Sequence, residues 1–178
     1  MSTRAPFLIV RHWRERTKVG NTGRLAALAL ARCTLVDHGA EGSAAIDASR
    51  LRVPGTVLLF PGPAPLELDA PRPWAPLDAP ALIVVVDGTW PQARRMVQRI
   101  AALRGLPRLA LPPPPPLARR LRRAAAGHPE AMATIEAIAR VVALLDGEER
   151  AAPLDRLYRM MIERCLAGHD GVLGPLFA

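Results

Sequence analysis

The sequence predicts an α/β fold in which a mostly parallel sheet is flanked by helices. Two observations carry that reading. Short apolar runs such as Phe7-Leu8-Ile9-Val10, Thr56-Val57-Leu58-Leu59-Phe60 and Ala81-Leu82-Ile83-Val84-Val85-Val86 lack polar alternation, as strands covered on both faces do. Helical periodicity lies between and after them, in the order strand, helix, strand, strand, strand, helix, strand, helix, helix. The length of 178 residues suits one domain, 1–178, with one proper core.

Phe7–Val10 is the first strand, and the polar stretch from Arg11 to Gly20, with His12 and Glu15, is a loop or irregular turn. Asn21 or Thr22 can then cap a helix running through Leu30, and the same helix start, with Arg24 on its first turn, can hold a phosphate or carboxylate. Thr34–Asp37 is a second strand and Thr56–Phe60 a third, the latter stopped by Pro61-Gly62-Pro63. Pro71, Pro73, Pro76 and Pro80 make an extended loop around Trp74, which leads to the central strand.

That strand ends in Asp87-Gly88-Thr89-Trp90, and Pro91 fits the first position of the helix that follows. A core-facing stripe of Ala93, Val97, Ile100 and Leu103 or Arg104 leaves Arg94, Arg95 and Arg99 on the helix surface. Arg108–Leu111 is the last strand, closed by the five prolines Pro112 to Pro116 and followed by Arg119, Arg120, Arg122 and Arg123, a basic cluster suited to phosphate. In the next helix Ile135, Ile138, Val142 and Leu145 share a docking face, with Glu136 off it; a final helix from about Leu154 to Ala167 presents Leu154, Leu157, Tyr158, Met161 and Cys165 on one side.

The formal charge is +8, and every basic residue except Lys18 is arginine. Arginine pairs with phosphate through a planar fork and stacks on bases, so a polyanion such as RNA fits this charge, and so does a plain compositional bias. Cys33 and Cys165 form no CxxC pair, which indicates neither a disulfide framework nor a zinc site; both read as structural thiols. The absence of a membrane-length apolar run and of a cleavable leader pattern points to a cytoplasmic protein with no membrane partner.

Asp87-x-Thr89-Trp90 followed by Ala93-Arg94-Arg95-Met96 resembles the signature of the DTW-domain family, tRNA-uridine aminocarboxypropyltransferases that use S-adenosylmethionine. His12-x-x-Glu15 leading to Asn21-Thr22-Gly23-Arg24-Leu25, then Leu58-Leu59-Phe60-Pro61-Gly62, and late in the chain Thr134-Ile135-Glu136-Ala137 extend the resemblance in the family's order. The resemblance implies a SPOUT-like fold with a carboxyl-terminal trefoil knot cradling S-adenosylmethionine. Phe60, Pro61 and Gly62, Asp87 through Trp90, and Thr134, Ile135 and Ala137 would then line the donor pocket. Two departures stand out: no cysteine-rich segment precedes Cys33, and Ala133 stands where the family usually has serine.

The reaction so implied is attack of uridine N3 on the methylene carbon beside the sulfonium, with release of methylthioadenosine and no need of a metal. A carboxylate must take the N3 proton, and the candidates are Asp87 and Glu136. Asp87 could equally bind the donor's amino group or cap the helix after it; Trp90 is a core anchor or a wall of the adenine pocket. Asn21 and Thr22 are candidate substrate-binding residues, Arg24 and Arg94 are candidates for the donor carboxylate, and Arg119, Arg120, Arg122 and Arg123 for tRNA phosphates. Two rivals remain: a SPOUT-like RNA methyltransferase, and a non-catalytic basic RNA-binding module. Monomer and homodimer are undecided.

Overall fold

The computed structural model describes residues 1–41, 46–61, 78–111 and 132–167. Five parallel strands form one sheet: β1 (Phe7–His12), β2 (Cys33–His38), β3 (Thr56–Leu59), β4 (Leu82–Asp87) and β5 (Arg108–Leu109), in the spatial order β2-β1-β4-β3-β5. The helices are α1 (Thr22–Ala29), α2 (Ala48–Leu51), α3 (Trp90–Arg99), α4 (Ala101–Arg104), α5 (Thr134–Asp146) and α6 (Glu148–Ala167), with a short 3-10 turn at Trp13–Glu15. The expected α/β architecture and its largely parallel sheet are therefore observed.

Strand parity divides the core in two. Phe7, Ile9, Val57, Leu59, Ile83 and Val85 face α1, α5 and α6, where Ala26, Ile135, Ile138, Val142 and Leu154 meet them. Leu8, Val10, Leu58, Leu82 and Val84 face the other way, onto Leu51, Met96, Val97 and Leu103 of α2, α3 and α4. Both faces of the central strands are thus dry, which is why their sequences read as unbroken apolar runs.

The chain leaves β1 through α1 toward β2, and leaves β4 through α3 and α4 toward β5, on opposite faces and in opposite directions. Between the carboxyl ends of β1 and β4 the connections diverge, which makes this the topological switch point, the position where open α/β sheets bind their ligands.

Several boundaries differ from expectation. β1 runs two residues further, to His12, because Arg11 and His12 still pair with Asp37 and His38. The helix after Trp90 breaks at Ile100, whose backbone is extended (φ −81, ψ 102), so Met96 joins Ala93 and Val97 in the core and Leu103 arrives from a separate turn. The final helix starts at Glu148, after Gly147 at φ 95, and Pro153 lies within it. On that helix Ile162 is buried while Met161 is half-buried; the Cys165 side chain lies outside the described residues. Cys33 opens β2, and burial pushes its thiol up to about 11, as suits a structural cysteine. Residues 62–77 and 112–131 lie outside the described residues, and the described residues do not show the expected trefoil knot. Among the described residues no helix is long and apolar enough to cross a membrane.

Ile138 is fully buried where α5 docks on the sheet. Ile138→Ala should lower stability by about 2–5 kcal/mol, read as a lower urea midpoint at unchanged slope.

Candidate active site

Asp87 is the last residue of β4 and only 4% exposed. Asn21 Nδ2 donates to its Oδ2 at 2.6 Å, and Thr134 Oγ1 donates to its Oδ1 at 2.5 Å. Asn21 is the N-cap of α1 and Thr134 the first residue of α5, so two helix starts converge on one carboxylate. They are also tied to each other, since the Thr134 N–H donates to Thr22 Oγ1 at 3.1 Å. The positive ends of both helix dipoles therefore lie beside the anion.

The carboxylate rests on the backbone of Gly23. A Cβ added there would fall 2.5 Å from Asp87 Cγ and Oδ2 and 2.9 Å from Oδ1, a distance no side chain tolerates. Sequence reasoning placed an anion over the first turn of this helix, and the carboxylate found there is the protein's own. Gly23 was not singled out as a site residue; its signal was a glycine inside a helical pattern, which often marks a close backbone approach.

Arg11 was also missed. Parallel register sets it between Asp37 on β2 and Asp87 on β4, all three pointing to the α1 face. Its Nε and Nη2 donate to Asp37 at 2.7 and 3.1 Å, and its Nη1 donates to Asn21 Oδ1 at 3.4 Å. That oxygen also accepts the Arg24 N–H at 2.7 Å. With two donors on Oδ1, the Asn21 amide has its Nδ2 left to face Asp87, so Asp37 and Arg11 fix the orientation of the group that holds the carboxylate.

Burial raises the Asp87 carboxyl above its ordinary value; the hydrogen bonds from Thr134 and Asn21 oppose the rise, buried Glu15 adds to it and Arg11 subtracts from it. Glu15 itself accepts from Lys18 at 2.9 Å.

The other predicted site residues divide. Glu136 is buried rather than turned away: it folds back over the first turn of α5, where its Oε2 accepts the Ala133 N–H at 3.1 Å. Ala133 has no side-chain oxygen with which to complete that box. Ile135 is fully buried in the core, with Ala137 half-buried against it. Thr89 caps α3 and its N–H donates to Gln92 Oε1 at 2.7 Å, while Gly88 lies against Gln92 and His12.

Trp90 stacks on Phe60 at 5.3 Å and 12°, packed against the core on the α3 face, which favours its core-anchor reading. The Arg108 guanidinium sits over Phe60 at 5.9 Å and donates to the Pro61 carbonyl at 3.2 Å. Arg24 and Arg94 are exposed. Gly62, Arg119 and Arg122 lie outside the described residues, as does Trp74. Among the described residues no group of three or more His, Cys, Asp or Glu side chains is placed to hold a metal ion.

Fold and site together define an α/β domain whose buried acid stands at the carboxyl edge of a parallel sheet, where the strand order reverses. A family profile describing the DTW domain matches residues 1–166, and the chain belongs to the DTW-domain family. No curated protein and no solved structure matches it. Membership of this family is consistent with a tRNA-modifying enzyme.

Two outcomes follow from the packing of Asp87. In an ordinary helix Gly→Ala stabilises by about 1 kcal/mol, but Gly23→Ala should destabilise, and Asp87→Ala should relieve that loss in the double variant, read as coupling in a denaturation cycle. The folded carboxyl holds its proton more tightly than the unfolded chain does. Its contribution to stability is therefore full below the unfolded pKa and lost as pH rises through the folded one. Asp87→Asn can accept from Asn21 and donate to Thr134 Oγ1. It should match or exceed wild-type stability near neutral pH and lose that margin as pH falls into the ordinary carboxyl range. Urea titrations across pH check this, and a wild-type advantage that grows with pH contradicts it.

Proposed function

We propose that this protein transfers the 3-amino-3-carboxypropyl group of S-adenosylmethionine to N3 of an unpaired uridine in tRNA, releasing methylthioadenosine in the cytoplasm. One observation carries the reading: a buried carboxylate, raised above its ordinary pKa, stands at the switch point between β1 and β4. The DTW-domain membership supports the tRNA side of it.

Each Asp87 oxygen accepts one hydrogen bond from the protein and retains a lone pair. We assign Asp87 as the group that accepts the N3 proton while N3 forms its bond to the donor methylene carbon and that carbon's bond to sulfur breaks. The raised pKa brings the base closer to neutrality, where proton transfer is most effective. Glu136, with one oxygen on the Ala133 N–H, is assigned to holding the start of α5 and through it Thr134. The donor's carboxylate needs a cation, and exposed Arg24, one residue after Gly23, is suited to supply it. The SPOUT-like classification belongs to the same proposal; the parallel order with β4 between β1 and β3 supports it.

The test is to incubate the protein with unmodified tRNA and S-adenosylmethionine labelled differently on its methyl and aminocarboxypropyl carbons, and to weigh the RNA. The expected result is gain of the aminocarboxypropyl mass, with kcat/KM cut about a hundredfold to ten-thousandfold in Asp87→Asn. Gain of a methyl label would replace the reaction with methyl transfer. Binding with no gain, on tRNAs shown to be competent, would leave an RNA-binding module.

A further inference from the structure

Trp13 has no part in the mechanism above and belongs to neither half of the core. It lies in the 3-10 turn directly after β1 and is 41% exposed, the one exposed aromatic among the large hydrophobic side chains of the described residues. Yet the indole is held in place. The His12 ring stacks on it at 6.2 Å and 22°, and the Arg14 guanidinium lies 5.2 Å from its centroid. Gly39, at φ 96, gives it room: a Cβ there would come within 3.1 Å of the indole Cδ1.

The position relates it to Asp87. A Cβ on Gly88 would lie 3.4 Å from the His12 Cβ, so His12 packs between Trp13 and the residue that follows Asp87. Arg14 follows Trp13 in the same turn and Arg16 ends it, Arg24 stands on the first turn of α1, and Arg94 and Arg95 stand at the middle of α3. All five are exposed and form no ion pair among the described residues, whereas Lys18 and Arg11 are paired.

An exposed indole has unfavourable contact with water, and the fold gains no core packing from it. An indole held in a fixed orientation with much of its surface still exposed, beside guanidinium groups that form no ion pair among the described residues, is suited to one class of ligand, an unpaired nucleobase with its phosphates. We propose that Trp13 is a stacking platform for a nucleotide flanking the target uridine in single-stranded RNA, with Arg14 and Arg16 contacting the adjacent phosphates. The proposal rests on reading the Asp87 site as RNA-modifying. It predicts little base selectivity at the flanking position, because every base has a π face.

The experiment compares wild type, Trp13→Ala, Trp13→Phe and Trp13→Leu. It measures binding of a labelled single-stranded oligouridylate and of an RNA duplex, KM for tRNA and for S-adenosylmethionine, thermal midpoint and solution mass. Trp13→Ala should weaken oligouridylate binding and raise the KM for tRNA about tenfold to a hundredfold, with KM for S-adenosylmethionine, midpoint and mass unchanged. Trp13→Phe should retain most of both and Trp13→Leu should not, a contrast that stands even if the alanine variant folds poorly.

Equal performance of Leu and Phe would overturn the proposal, since bulk and not an aromatic face would then be what matters. So would unchanged RNA binding in Trp13→Ala, or a change confined to solution mass, which would make Trp13 a subunit contact. If wild type binds single-stranded RNA through Trp13 but transfers nothing, the platform stands and the transferase reading falls. If wild type transfers to tRNA while Trp13→Ala does so equally well, the transferase stands and the platform falls.

Discussion

The buried carboxylate of Asp87 is the interaction on which the arrangement of this domain depends. Removing a charge from water is expensive, and a buried carboxylate persists only where hydrogen bonds and local dipoles replace its hydration. Here the replacement comes from two helices that are far apart in sequence. Asn21 caps α1, Thr134 opens α5, and both donate to Asp87, so the ends of two helices are located by one side chain of the sheet. Gly23 removes the Cβ that would otherwise hold the carboxylate away. Compensation is incomplete, because desolvation still outweighs the donors and the pKa stays raised. That residual imbalance suits the proposed role of Asp87 as a proton acceptor.

The surrounding charges extend the same logic outward. Arg11, 6% exposed, is neutralised by Asp37 through two hydrogen bonds and reaches Asp87 only indirectly, by way of Asn21. Had Arg11 paired directly with Asp87, a close cation would have held the carboxyl down. Glu15 and Lys18 likewise form a pair nearby. The charges around Asp87 are thus paired with one another, and among the described residues the carboxylate itself is left without a direct cation.

Much of this was legible in the sequence because the strands are buried on both faces. Unbroken apolar runs placed three strands closely, the half-buried second strand was placed closely without such a run and the short fifth in part, and a motif at the end of one run located Asp87. Asn21 was legible as a cap, and it is one. What register decides was not legible. Nothing local says that Arg11, Asp37 and Asp87 stand in one row, although each directly follows an apolar run. Glu136 was misplaced because helical periodicity assigns a face but not a side chain that folds back over its own first turn. The α3 break at Ile100 was missed for a similar reason: an apolar stripe continues across it, and only the extended backbone of Ile100 shows that two turns share it.

The spacing of the motif itself has a physical reason in this topology. Side chains alternate along a strand, so Asp87 shares its face with Ile83 and Val85 and points toward α1 and α5, whereas a carboxylate at position 86 would face α3. After Asp87 the chain must cross to that opposite face, where α3 packs. Gly88 lies against both His12 and Gln92 with little room for a side chain, and Thr89 is extended as the N-cap of α3. Trp90 then fixes the crossing by stacking on Phe60 at the end of β3, on the far side of the sheet from the Asp87 contacts. An acid on one face and an aromatic anchor on the other, three residues apart, is what a strand-to-helix turn needs if it is to place a carboxylate at the switch point and still bury its helix behind it.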